Sequence, residues 1–306
     1  MRVGKDKRED GGIKRRYVQR QHLLFLAFIA PNFLLLGVFT YWPMIYQSYL
    51  SLTRWDMLGP RKTFVGLDNY TNMFGGREFW GVLFNTFYFM GAVVAGSIVL
   101  GLAIAILLNQ RLRGRNFVRS VTFAPVILSG AAVGLVWAYI FDPDYGLLRT
   151  FLEFFGVSSP DWLADTRFAM PALIIVYLWK SLGFAVVIYL AGLQTISKDL
   201  YEAAKVDGAN SWVRFRHVTL PQISPVTFFV VLTTIINSFQ AFDIIAVMTG
   251  GGPAGATTTL IWYIYQEGFI AFRAGTAAVA AIVMFLLLLV ITVLQVRYVQ
   301  RGVHYK

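Results

Sequence analysis

Six long apolar stretches, at about 23–49, 80–108, 118–141, 169–194, 222–247 and 272–298, alternate along the chain with shorter polar segments. Each holds 24 or more residues. A helix rises about 1.5 Å per residue, so roughly 20 residues cross a hydrocarbon core of about 30 Å. None of the stretches shows the period-two alternation of a barrel strand, and a helix satisfies its own backbone polar groups where water is absent. Six membrane-spanning helices are therefore expected. The first stretch is too long for a cleavable signal, contains Pro31 and Pro43, and lacks a small-residue cleavage site before the next polar region.

Composition agrees: 57% of the 306 residues are hydrophobic, and the mean hydropathy of +0.60 exceeds that of soluble domains of this length. The net charge of +11 comes from Lys and Arg in short loops and tails beside apolar runs, a placement suited to anionic headgroups and not to nucleic acid. Of the 27 basic residues, eight lie in the first 20 positions, four at Arg111, Arg113, Arg115 and Arg119, four in 195–221 and three at the carboxyl end. The alternate loops 50–79, 142–168 and 248–273 carry four, two and one, with nine of the 16 acidic residues. The positive-inside rule then puts both termini and the 195–221 loop in the cytoplasm. The expected organisation is a basic tail 1–22, a six-helix domain 23–298 with a cytoplasmic loop 195–221, and a tail 299–306. Trp42, Trp80 and Trp137 fall near helix ends, as an interfacial aromatic belt requires.

The 201–221 stretch is the polar anomaly. Ser197 is a plausible cap for a helix running to Val206, with Asp199 in its first turn and good helix formers at Leu200, Glu202, Ala203, Ala204 and Lys205. Gly208 ends it, a second short helix is expected over about 211–219 with Trp212 and Phe215 near one face, and Pro221 and Pro225 mark re-entry into the membrane. Two readings stand: a wedge whose small Ala203 and Ala204 admit a partner's surface, or an amphipathic loop lying on the headgroups.

Glu202-Ala203-Ala204, then Asp207-Gly208, then nine residues, then Val218-Thr219-Leu220-Pro221 resembles the cytoplasmic EAA loop of permease subunits of binding-protein-dependent ABC importers. The resemblance extends over nearly the whole chain to the carbohydrate-uptake branch, through Phe64-Val65-Gly66-Leu67-Asp68-Asn69-Tyr70 and Met248-Thr249-Gly250-Gly251-Gly252-Pro253. Thr257-Thr258-Thr259-Leu260-Ile261, Glu267-Gly268-Phe269 and Val296-Arg297-Tyr298-Val299 look most like its glycerol-3-phosphate members. The basic amino tail has no counterpart in that pattern. The resemblance implies the type I ABC importer permease fold in a bacterial inner membrane, beside a second homologous permease subunit, two cytosolic ATPase subunits and an extracytoplasmic solute-binding protein. It implies that Glu202, Ala203, Ala204, Asp207, Gly208, Leu220 and Pro221 engage the ATPase, with Glu202 pairing with a basic residue there. ATP and Mg would be held by those partners and no cofactor by this chain. The chain has no Gly-x-x-x-x-Gly-Lys-Ser/Thr run, so energy must come from a partner.

Polar residues inside the apolar segments are candidates for a substrate path, since ionisable groups there are costly. Lys180 lies in the middle of the fourth segment and Asp243 about one turn from the outer end of the fifth. Thr233, Asn237, Gln240 and Asp243 recur three or four apart, giving a slowly drifting stripe if that segment is one helix, and Asn85 and Thr86 sit in the second. An ammonium at Lys180 favours an anionic phosphate; alternatively it serves a carbonyl or carboxylate across the bundle, and the amides bridge helices. Gly251, Gly252 and Pro253 lie in an outward loop, either as a turn or as a contact for the binding protein.

Other functions find less support. There are no cysteines, the three histidines are scattered, and no paired intramembrane acids or serine-base motif suggests catalysis or a metal site. An ion-coupled carrier, the rival of another class, requires intramembrane carboxylates, and only Asp243 qualifies. Uptake of glycerol-3-phosphate or glycerophosphodiesters by alternating access is the reading the resemblance implies, with a sugar or oligosaccharide as the second.

Overall fold

The computed structural model describes residues 24–110 and 113–302. The basic tail 1–22, Arg111 and positions 303–306 lie outside the described residues. The helices in chain order are α1 (Leu24–Ser51), α2 (Asp68–Gly75), α3 (Arg77–Asn109), α4 (Arg115–Ile127), α5 (Gly130–Ile140), α6 (Leu147–Phe154), α7 (Ala169–Thr195), α8 (Lys198–Val206), α9 (Ser211–Phe239), α10 (Asp243–Met248), α11 (Leu260–Tyr265) and α12 (Ala274–Gly302). Among the described residues five of them, α1, α3, α7, α9 and α12, are long and apolar enough to cross a membrane singly, and the bent pair of α4 and α5 brings the number to six if counted as one broken span.

Two expected spans are interrupted. The stretch 118–141 is not one helix: α4 and α5 meet at 104°. Pro125 in the last turn of α4 removes a backbone donor, Leu128 and Ser129 are extended, and α5 restarts at Gly130. The stretch 222–247 likewise ends at Phe239; Gln240 leaves the helical region and α10 begins at Asp243. Both interruptions are apolar enough to read as continuous by hydropathy.

Two prolines are accommodated without a break. A π turn at Gly37–Tyr41 precedes Pro43, and another at Phe215–Thr219 precedes Pro221. Each widened turn moves away the carbonyl that the proline ring would otherwise strike. The short helix expected over 211–219 is therefore the beginning of α9, not a separate element, and Pro221 and Pro225 lie within that continuous helix. The final helix also runs past the expected limit of 298 to Gly302.

The centre of the bundle is α7, packed along its length by α3 and on its other sides by α4 and α9. Phe89 and Val93 of α3 meet Leu173 and Val176 of α7 and Ile244, Ile245 and Met248 of α10 in one buried cluster. A second joins Leu102, Ala105 and Leu108 of α3 to Val186, Tyr189 and Leu193 of α7 and Ile223 and Val230 of α9. Between helices in lipid the attraction is close packing more than water exclusion, and α7 supplies small buried residues at Ala172, Gly183, Ala185 and Gly192. By contrast α1 buries only Leu50 and Ser51, at the end that packs on α12. Trp42 and Trp80 are exposed as a belt requires, but Trp137 packs inward against Phe141 and Trp179, with ring centroids 5.3 and 5.6 Å away.

At the end assigned by charge to the outside, the Phe64–Tyr70 stretch acts as a clamp. Thr53–Arg54 and Thr63–Phe64 pair antiparallel. Asn69 Nδ2 then donates to the carbonyls of Ser51 and Thr53, both at 2.8 Å. The Tyr70 and Ser51 hydroxyls are 2.8 Å apart. Glu267, 2% exposed, pairs with Arg273 at 2.5 Å, and burial pushes its carboxyl above the ordinary range despite that guanidinium.

Candidate functional site

Two places bear on function: the loop between α7 and α9, and a cavity beside α7. In the loop, Ser197 Oγ accepts from the Asp199 amide at 3.2 Å and starts α8. The helix closes through a paired turn in which Gly208 N donates to Lys205 O at 3.0 Å and Ala209 N to Ala204 O at 2.9 Å. That geometry needs a left-handed residue, and Gly208 has φ of +80°. Asn210 Oδ1 caps the next helix by accepting from Val213 N at 2.9 Å. The Tyr201 and Thr219 hydroxyls, 3.0 Å apart, tie α8 to the start of α9.

The residues expected to engage an ATPase divide by exposure. Glu202, Ala203, Asp207, Gly208 and Pro221 are exposed, Ala204 is half-buried, and Leu220 packs inward on the α3–α7 cluster. α8 buries none of its residues. Alongside the charged positions, Leu200 (43%), Val206 (88%) and Trp212 (69%) are exposed, so the wedge also presents apolar side chains to whatever meets it.

The cavity, about 340 Å³, lies between α4, α7 and α9 and is bordered by both helix interruptions. Lys180, Asn237 and Gln240 line it together with Tyr177, Ser181 and Thr234, while Val126, Phe184 and Ala185 complete the wall. Lys180 is the one charged side chain in that lining. The Tyr177 hydroxyl donates to the Asn237 carbonyl at 2.8 Å, fastening α7 to the last turn of α9. Tyr177, Ser181 and Phe184 stand three before, one after and four after Lys180, positions that lie on adjoining faces of a helix, and that spacing is the sequence signal for them.

The other candidate path residues stand elsewhere. Asn85 Nδ2 donates to the carbonyls of Gly255 at 2.9 Å and Thr258 at 3.2 Å, and Thr86 Oγ1 accepts from the Leu260 amide at 2.8 Å. Both hold the turn ahead of α11. Thr233 bonds to the carbonyls of Phe229 and Val230 in its own helix, and Thr234 takes the place in the cavity wall. Because the chain breaks after Phe239, no continuous stripe extends to Asp243; that residue opens α10, its Oδ1 accepting from Ile244 N at 3.0 Å. Its carboxylate lies where a Cβ on Gly130 would stand, so any other residue at the head of α5 requires the Asp243 side chain to move.

Gly251 is buried against the Trp262 indole, and Thr258 and Thr257 donate to the carbonyls of Gly251 at 3.0 Å and Gly252 at 2.6 Å. With Pro253 half-buried, the turn exposes Ala254 and Gly255 instead.

Residues 97–305, which include both the loop and the cavity, match the family model of the binding-protein-dependent transport system inner membrane component. The chain belongs to that family. The permease is 37% identical over 251 residues to the trehalose/maltose transport system permease protein MalF of Thermococcus litoralis, covering 82% of this chain and 85% of that one. It is 33% identical over 278 residues to the sn-glycerol-3-phosphate transport system permease protein UgpA of Agrobacterium fabrum, covering 90% and 94%. A chain of the bacterial alginate ABC transporter, solved in complex with an alginate pentasaccharide-bound periplasmic protein, superposes with a TM-score of 0.81 at 23% identity over 94% of this chain and 98% of that one. The fold is thus that of a type I ABC importer permease, a multi-pass membrane subunit.

Proposed function

We propose that the permease is one of two homologous membrane subunits of an ATP-driven importer, with both termini and α8 in the cytoplasm. The observation that carries this reading is the exposed α8–Gly208 wedge, which buries none of the helix's own residues yet is held by a cap, a paired turn and a hydroxyl link to α9. A structure so fixed and so exposed suits docking into a rigid partner. Two ATPase subunits supply hydrolysis and hold ATP and Mg; this chain holds no cofactor and catalyses no reaction. Glu202, Ala203 and Asp207 meet the ATPase, Gly208 sets the turn, and Leu220 carries the displacement into the bundle. A solute-binding protein delivers cargo at the other end, touching the turn that contains Gly251, Gly252 and Pro253.

Import follows by alternating access: nucleotide draws the ATPases together, the wedge moves, and the cavity beside α7 changes the side to which it opens. Nucleotide drives uptake only if cargo affinity differs between the two states. For cargo we favour glycerol-3-phosphate or a glycerophosphodiester, because Lys180 gives the cavity lining its one charge and neutral donors and acceptors surround it. A neutral sugar or oligosaccharide is the second reading, supported by the similarity to the trehalose/maltose permease. Proteoliposomes carrying the full complex test the mechanism: uptake stops when hydrolysis is blocked and persists when ion gradients are dissipated. Uptake that needs an ion gradient and no ATPase would establish a secondary carrier instead.

A further inference from the structure

A second cavity, of about 410 Å³, opens between α8, the start of α9 and the ends of α3 and α7. Lys205 and Arg214 line it with no carboxylate among the lining residues, and Asn109, Gln110 and Ser211 add neutral polar groups. Arg214 is already oriented, donating to the Ala209 carbonyl at 2.9 Å and to Ser211 Oγ at 3.2 Å, whereas Lys205 is exposed. Ile106, Leu193 and Phe215 form an apolar wall on the bundle side. The cavity thus combines two cations, neutral hydrogen-bonding groups and an apolar flank at the level where spans end, with the exposed Trp212 ring 5.6 Å from Phe215 beside it. Basic pockets between helices on the cytoplasmic side suit anionic headgroups, and aromatic rings favour the same depth.

The geometry points to a site for the phosphodiester headgroup of an anionic phospholipid of the cytoplasmic leaflet, lodged between α8 and the spans. This rests on the cytoplasmic orientation proposed above. The headgroup bridges Lys205 on the wedge to Arg214 at the root of α9, so its binding braces the element that must transmit force. A free phosphate offers the same charge without acyl chains, and the apolar flank favours the lipid.

The test uses the complete transporter in neutral detergent. Short-chain phosphatidylglycerol and phosphatidylcholine are titrated separately, and retained lipid is counted by native mass spectrometry for wild type, Lys205→Arg, Lys205→Gln and Lys205→Glu. One basic group near an anionic lipid is worth about fivefold in affinity. The expected result is preferential retention of phosphatidylglycerol, about fivefold weaker in Lys205→Gln, weaker again in Lys205→Glu and retained in Lys205→Arg, with millimolar inorganic phosphate unable to displace it. Equal retention of the two lipids, or identical phosphatidylglycerol retention by all four proteins, overturns the site. Displacement by inorganic phosphate overturns the lipid assignment in favour of a soluble anion. ATP-driven uptake by a variant that loses the lipid leaves the transport mechanism standing, which separates the two failures.

Discussion

Replacing Gly208 separates a conformational role for the turn from a merely spatial one. The residue sits at φ of +80°, and nothing lies within 4 Å of where its Cβ would be. Alanine there meets no clash, so its cost is the backbone alone, about 1–2 kcal/mol for an L-residue in the left-handed region. Valine costs more because its branched Cβ disfavours that region further, whereas asparagine visits it with less strain. Since α8 contributes no buried residue, the penalty stays in the loop and the melting temperature of the membrane domain is unchanged. The wedge must hold its turn to dock, so the ATPase subunit should bind Gly208→Ala about 5–30-fold more weakly, the equivalent of that 1–2 kcal/mol. Titration of purified ATPase onto the permease in nanodiscs should rank affinity as glycine, asparagine, alanine, valine. Full affinity in Gly208→Val would refute the argument. So would equal losses in Asn and Val, which would point to bulk and not to backbone.

Other parts of the structure make separate predictions. Asn69→Ala removes two bonds to carbonyls at the end of α1 and should destabilise the outer clamp by about 2 kcal/mol, roughly one per bond, seen as a lower melting temperature. Glu267 has its folded-state carboxyl raised chiefly by burial, with Arg273 opposing and Glu78 assisting. Its contribution to stability is therefore full below the ordinary carboxylate value and lost as pH rises through the raised one; Glu267→Gln should flatten the fall of melting temperature as pH rises from the ordinary carboxylate range. Lys180→Gln should cut glycerol-3-phosphate uptake about 10–100-fold, the worth of one hydrogen bond to a charged group, and leave a neutral sugar unaffected if one is carried.

Hydropathy located all six spans because lipid imposes length and apolarity on any segment that crosses it. It is blind to whether the backbone is continuous, and so it missed the bend at Leu128–Ser129 and the break at Gln240. Signals for the first existed: Pro125, then Ser129-Gly130, a proline near a helix end followed by a serine that can begin the next. The second had only Asp243, an acidic residue suited to a helix start. That break also explains the partial success with the cavity. Asn237 and Gln240 reach it from the end of α9, while Asp243, read on the same helical face, belongs to another element. Asn85 was legible as a polar residue in an apolar segment but not as a clamp, because its partners at Gly255 and Thr258 lie some 170 positions away in sequence. The loop was the most legible feature, since Ser197 and Gly208 act on their immediate neighbours.

The absence of native cysteine allows a direct test of coupling through α8. Ala203→Cys creates a single thiol on the exposed wedge and Gly255→Cys a single thiol at the opposite end. In the assembled complex, a short bifunctional cross-linker that joins the thiol to amines should link Ala203→Cys to the ATPase subunit with a yield that changes on ATP binding, and should not link Gly255→Cys to it. Cross-linking of the ATPase from Gly255→Cys, or no nucleotide-sensitive link from Ala203→Cys in a complex that still hydrolyses ATP and transports, would contradict the account.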